Sequence, residues 1–142
     1  LSIPWRLRPL FNCVVIQGVR YTPLRFIVES TAKNFEKSVL DPEGRELYRK
    51  DSLDRMPSES VFQMEDLKTE IKKELKKVSQ PLLLIHGLRD HLADPKGMLE
   101  IKKGVSSKRV DIALMEHSAH VLTLDYDRQE IAKKVVNFFE SL

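Results

Sequence analysis

Apolar and polar positions are patterned most clearly in the second half of this chain. Pro81-Leu82-Leu83-Leu84-Ile85-His86 is an unbroken apolar run ended by Gly87. Without alternation, and closed by a glycine, such a run predicts a strand buried on both faces of a parallel sheet. A second strand is predicted over Val110 to Met115, where Val110, Ile112 and Leu114 alternate with Asp111 and Ala113, as nearer the sheet edge. Between them Asp94-Pro95 opens a short helix that turns Met98, Leu99 and Ile101 inward and stops at Gly104, the asymmetry of proline at the start and glycine at the end. Asp127 with Glu130 resembles a capping box. It begins a last helix with Ile131, Val135, Phe138, Phe139 and Leu142 on one face. Strand, helix, strand, helix in this order predicts a right-handed parallel crossover.

The first half is less regular. Pro4, Pro9 and Pro23 forbid one long helix, because proline lacks an amide proton and clashes with the preceding turn. Leu24 to Val28 suits a short strand or a helical turn equally, and Trp5 with Phe11 reads as core rather than as a pocket lining. Asp41-Pro42-Glu43-Gly44 has the form of a helix start, with Leu47 and Tyr48 facing inward. A longer helix is expected from Ser58 or Ser60 to about Val78, with Leu67, Ile71, Leu75 and Val78 as its apolar stripe. Its lysines at 72, 73, 76 and 77 read as a solvated face rather than a membrane patch.

Composition narrows the class. The 142 residues make one domain's worth of chain. A charge of +3 from 24 bases and 21 acids is too evenly mixed for a nucleic-acid binder. No apolar run is long enough for stable membrane insertion. The single cysteine, Cys13, cannot form an internal disulfide, which fits a reducing compartment and a cytoplasmic location. The first residue is leucine, so an upstream segment is expected.

Candidate chemistry lies after the two strands. Asp90 stands in the loop past the first, and His120 in the loop past the second, thirty residues on. Open α/β sheets place working residues at this rim. An imidazole titrates near neutrality and can shuttle a proton, and a carboxylate on its far nitrogen fixes the tautomer. Ser118 shares the histidine loop without a turn to aim its oxygen, and is rejected as nucleophile. His86 reads as a satisfied histidine, Asp94 as a helix cap and fallback acid, and Asp125 as a support of the histidine loop or a cap of the last helix. His91 and His117 with Asp90 and His120 match no trusted metal-ligand spacing, and no cofactor is expected.

Leu82 to Pro95 (LLLIHGLRDHLADP) resembles the late-strand acid loop of the α/β-hydrolases, and His117 to Asp125 (HSAHVLTLD) resembles the histidine loop of bacterial carboxylesterases and monoacylglycerol lipases. The resemblance is good over 80–142 and thins over Asp41 to Leu53, which looks like a lipase cap. It implies the C-terminal part of an α/β-hydrolase fold, parallel strands with flanking helices, preceded by a mainly helical cap-like segment. Residues 1–79 would be the cap and connecting segment and 80–142 the core. Asp90 would be the triad acid and His120 the general base of a serine-type ester hydrolase acting on a carboxylic ester or acylglycerol. Two departures stand out. Ala119 replaces the usual glycine, and none of the five glycines belongs to a Gly-x-Ser-x-Gly. That nucleophile elbow precedes acid and histidine in this fold, so it is expected upstream of Leu1, in a missing N-terminal half or a second chain. The alternative is a non-catalytic, hydrolase-like half that serves as an interaction module. A homo-oligomer is compatible with either.

Overall fold

Pro9 sits in the first turn of a helix, where its missing amide proton costs nothing, and Pro23 opens the next turn. One helix therefore fits between these prolines. The structure, a computed structural model, describes residues 8–142, with side chains from residue 14 onward; Trp5 and the side chain of Phe11 lie outside the described residues. In chain order the elements are α1 (Arg8–Arg20), a 3-10 turn (Pro23–Phe26), β1 (Ser30–Ala32), α2 (Phe35–Ser38), α3 (Pro42–Lys50), β2 (Arg55–Pro57) and α4 (Ser58–Glu74). They continue with a 3-10 turn (Leu75–Lys77), β3 (Leu82–Gly87), α5 (Lys96–Gly104), β4 (Val110–Met115), a 3-10 turn (Leu122–Leu124) and α6 (Arg128–Glu140). The choice left open at Leu24 to Val28 is settled as a 3-10 turn, capped by Thr22.

Two compact units form. Among the described residues, the first comprises 8–33 and Asp54–Glu70. Here β1 and β2 pair antiparallel, Ser30 opposite Pro57. Ser58 does not cap α4 as expected; its hydroxyl donates to Val28 O at 2.6 Å. Arg20 and Asp66 make a two-pronged ion pair, both contacts 2.7 Å. Leu67 on the expected stripe of α4 is exposed.

The second unit comprises Asn34–Leu53 and Ile71–Leu142. Residues 34–53 belong to this unit and are bonded to the histidine loop, as described below. β3 and β4 pair parallel in register, Leu82 with Val110 through Gly87 with Met115, and α6 packs against β3. The apolar run of β3 predicts burial on both faces. Instead Leu82 to His86 are all half-buried, and β4 is the only strand paired with β3 among the described residues. Leu75 lies against Gly104, where an added Cβ would come within 2.7 Å of Leu75 Cδ1.

Several inward faces are narrower than the sequence pattern predicts. Ile71, Leu47, Leu99, Phe139 and Leu142 are exposed, while Tyr48 meets Phe35 edge-on with ring centres 5.5 Å apart. Met98, Ile131 and Phe138 are buried as expected. Asp41 does cap α3, accepting from Glu43 N at 3.2 Å ahead of Pro42. Asp127 precedes α6 but makes no capping bond there. Its carboxylate turns instead to the loop after β4. No described helix is long and apolar enough to cross a membrane.

Candidate active site

Because β3 and β4 end side by side, the loops that follow them leave the sheet at one edge. Gly87 lets those loops touch: a Cβ there would lie 2.3 Å from the carbonyl oxygens of both Ser118 and Ala119. Leu88 N donates to Met115 O at 2.8 Å and Arg89 N to Ser118 O at 3.2 Å, joining the acid loop to the histidine loop.

Asp90 is ordered by its own loop. Oδ1 accepts from Leu92 N at 2.7 Å and from Ala93 N at 3.0 Å, a local turn typical of aspartate. Oδ2 is left to meet His120 Nδ1 at 2.8 Å. The two side chains differ in exposure, 3% for Asp90 and 45% for His120. Burial by itself would raise the Asp90 carboxyl, but the amide of Ala93, the His120 ring and the amide of Leu92 outweigh it and hold the group below its ordinary value. An ionised carboxylate can only accept, so Nδ1 carries the proton and donates. Nε2 of neutral His120 then presents a lone pair, the arrangement a general base needs.

The histidine loop is held through its backbone. Ser38 O accepts from His120 N at 3.1 Å and from Val121 N at 2.9 Å. Asp125, fully buried, accepts four amides: Asp41 N at 2.9 Å and Tyr126 N at 3.0 Å on Oδ1, Leu40 N at 3.0 Å and Ala119 N at 2.8 Å on Oδ2. Burial pushes its carboxyl up, but the four amides, Ala119 first, win and leave it lowered. Arg45 donates to the carbonyls of Val39 and Leu40 at 3.0 and 3.1 Å, and Arg128 pairs with Asp41. The segment before α3 and the loop bearing His120 are thus one bonded structure. Gly44 belongs to it too, since a Cβ there would sit 1.7 Å from Leu124 O.

The remaining candidates separate. Ser118 is buried, and its hydroxyl donates to Asp127 Oδ2 at 2.8 Å while accepting from Asp127 N at 3.0 Å; it is engaged as a loop brace. Asp127 Oδ2 also takes His117 N at 2.9 Å. Asp94 caps the start of α5 through Lys96 N at 2.9 Å. Among the described residues no group of three or more His, Cys, Asp or Glu could hold a metal ion. Ser38 was not singled out from sequence, because it acts through a carbonyl that every residue has. His86 is not the satisfied histidine that the sequence predicts: its buried Nε2 has no hydrogen bond. Ala119 stands at negative φ, as does every described non-glycine residue, so an alanine is tolerated in this loop.

Comparison with known proteins supplies the family. The family model for serine aminopeptidase S33 matches residues 6–127. The chain belongs to that family. It is 31% identical over 99 residues to a thermostable monoacylglycerol lipase of Bacillus sp. (strain H-257), covering 70% of this chain and 38% of the relative. It is 25% identical over 116 residues to a carboxylesterase of Bacillus subtilis (strain 168), covering 81% of this chain and 47% of the relative. The chain thus spans less than half the length of either. The crystal structure of a Paleococcus ferrophilus monoacylglycerol lipase overlays 92% of this chain and 52% of its own with a TM-score of 0.70 at 19% identity. The fold is that of an α/β-hydrolase, represented here in part.

Proposed function

We propose that this chain supplies the acid and the base of a serine-type ester hydrolase acting on carboxylic or acylglycerol esters. The observation that carries the reading is the 2.8 Å contact between His120 Nδ1 and Asp90 Oδ2 at the rim of a parallel strand pair. Membership of a serine-hydrolase family supports it, as do two curated relatives that are an acylglycerol lipase and a carboxylesterase. In this reading a serine hydroxyl loses its proton to His120 Nε2 as its oxygen attacks the ester carbonyl. The imidazolium formed is stabilised by Asp90 and returns the proton to the leaving alkoxide. A water molecule then repeats the sequence on the acyl-enzyme.

The serine comes from outside these 142 residues, which contain no Gly-x-Ser-x-Gly. The nucleophile-bearing half, as the preceding part of the same polypeptide or as a second chain, is the partner this reading requires. The complete protein is expected to hydrolyse a short-chain p-nitrophenyl ester and to be inactivated by a serine-directed phosphonate. Failure of both would overturn the hydrolase reading and favour a non-catalytic interaction module.

A further inference from the structure

Asp90 has a second imidazole beside it. A carboxylate offers about four lone-pair positions. Two on Oδ1 are taken by the amides of Leu92 and Ala93, and one on Oδ2 by His120 Nδ1. Nε2 of His86 lies 3.5 Å from the same Oδ2. That nitrogen is buried and has no hydrogen-bond partner. His86 is the last residue of β3 before Gly87, paired in register with Leu114, so the strand fixes the backbone from which the ring projects.

A buried polar nitrogen without a partner is unfavourable, and polar groups of this kind in native proteins call for an explanation. The neighbouring carboxylate narrows the choice of tautomer. A bare Nε2 lone pair would face a negatively charged oxygen and repel it, whereas an Nε2 proton would be attracted. At 3.5 Å the contact is too long for a good hydrogen bond. In unliganded sites, however, catalytic hydrogen bonds are commonly long and tighten as the site fills.

We propose that His86 is a positioning residue for the Asp90–His120 pair, which rests on the hydrolase reading above. Neutral and protonated on Nε2, it donates to Asp90 Oδ2 as the site closes on substrate. Its bond fills the fourth position on the carboxylate. With both oxygens saturated the carboxylate is held against rotation, and its acceptance from His120 keeps one direction through the proton transfer. His86 touches neither substrate nor the travelling proton.

The test uses the complete protein, with the nucleophile-bearing half present, and two variants. His86→Leu removes the donor and keeps an apolar side chain of similar bulk. His86→Gln places an amide proton near the position of Nε2. Loss of one hydrogen bond that matters in the transition state predicts a fall in kcat of about tenfold for His86→Leu with KM unchanged. His86→Gln should stay within about threefold of the parent. Thermal melting of each variant shows that it is folded. Nitrogen-15 NMR of the parent should show the His86 proton on Nε2 rather than on Nδ1. An unaltered kcat in a folded His86→Leu variant, equal losses in both variants, or a proton on Nδ1 would overturn the proposal. The NMR arm requires no turnover: a parent without esterase activity overturns the hydrolase reading, and the tautomer still decides the contact between His86 and Asp90.

Discussion

Replacing Asp125 by asparagine should loosen the loop that carries His120, and the structure sets the size of the effect. Each carboxylate oxygen accepts two backbone amides, and the side chain has no exposure to solvent. An asparagine retains one oxygen and turns an NH2 group toward the other pair of amides. Two buried amides then lose their acceptor, at about 1–3 kcal/mol each, or about 2–6 kcal/mol in all. That is a large part of the 5–15 kcal/mol that roughly spans domain stability. The assay is urea denaturation of the complete protein near neutral pH, followed by circular dichroism, comparing midpoints at equal slope. The pH dependence follows from the lowered carboxyl of Asp125. As pH falls the unfolded chain takes up a proton before the folded one. The stabilisation is therefore complete above the ordinary carboxylate range and disappears as pH drops through the lower folded value. The parent should lose stability over that interval, and Asp125→Asn should lose less there, the part that remains coming from Asp90, whose carboxyl is lowered as well. A variant within about 0.5 kcal/mol of the parent, the range of an ordinary surface change, would refute the four-amide account.

Other residues give sharper single tests. Asp90→Asn leaves the shape but can no longer select the Nδ1–H tautomer of His120, and kcat near neutral pH should fall by roughly 10⁴-fold; near-normal turnover there would show that another group orients the ring. Gly87→Ala would press a methyl group to 2.3 Å from two carbonyl oxygens, so a destabilisation of at least about 1–3 kcal/mol is expected on thermal or urea unfolding, and an unchanged midpoint would mean that the loops separate freely. Residues 1–142 produced alone should self-associate and bind an apolar dye, because β3 is only half-buried and Ile112, Leu114, Leu99 and Phe139 are exposed; a monodisperse monomer without dye binding would contradict this.

What could be read from the sequence was what local pattern encodes. The apolar run ended by Gly87, the alternation from Val110 and the Asp41-Pro42 signal each specify structure over a few residues, and β3, β4 and α3 form there. Asp90 and His120 could be placed because both follow strands that pair in parallel, which puts the ends of those strands together. Long-range backbone bonding could not be read in this way. Residues 34–53 join the C-terminal unit through amides and carbonyls at Ser38, Leu40 and Asp41, groups that carry no side-chain signature. Asp127 shows competition between two local uses of one carboxylate: the loop at His117 and Ser118 takes it, and the cap on α6 is forgone. Helical periodicity named the right face of α5 and α6 at Met98, Ile131 and Phe138 but ran too far along it to Leu99 and Phe139. Periodicity gives the direction of a face, and the neighbour determines how much of it is covered.

The central claim is that the imidazole of His120 serves as the base of an ester hydrolase, and turnover of a short-chain p-nitrophenyl ester by the complete protein tests it most directly. His120→Ala, folded to the same melting temperature within error, should lose roughly 10⁶-fold in kcat, as expected when the base of a catalytic triad is removed. Turnover by that variant close to the parent's would place the base elsewhere and contradict the assignment.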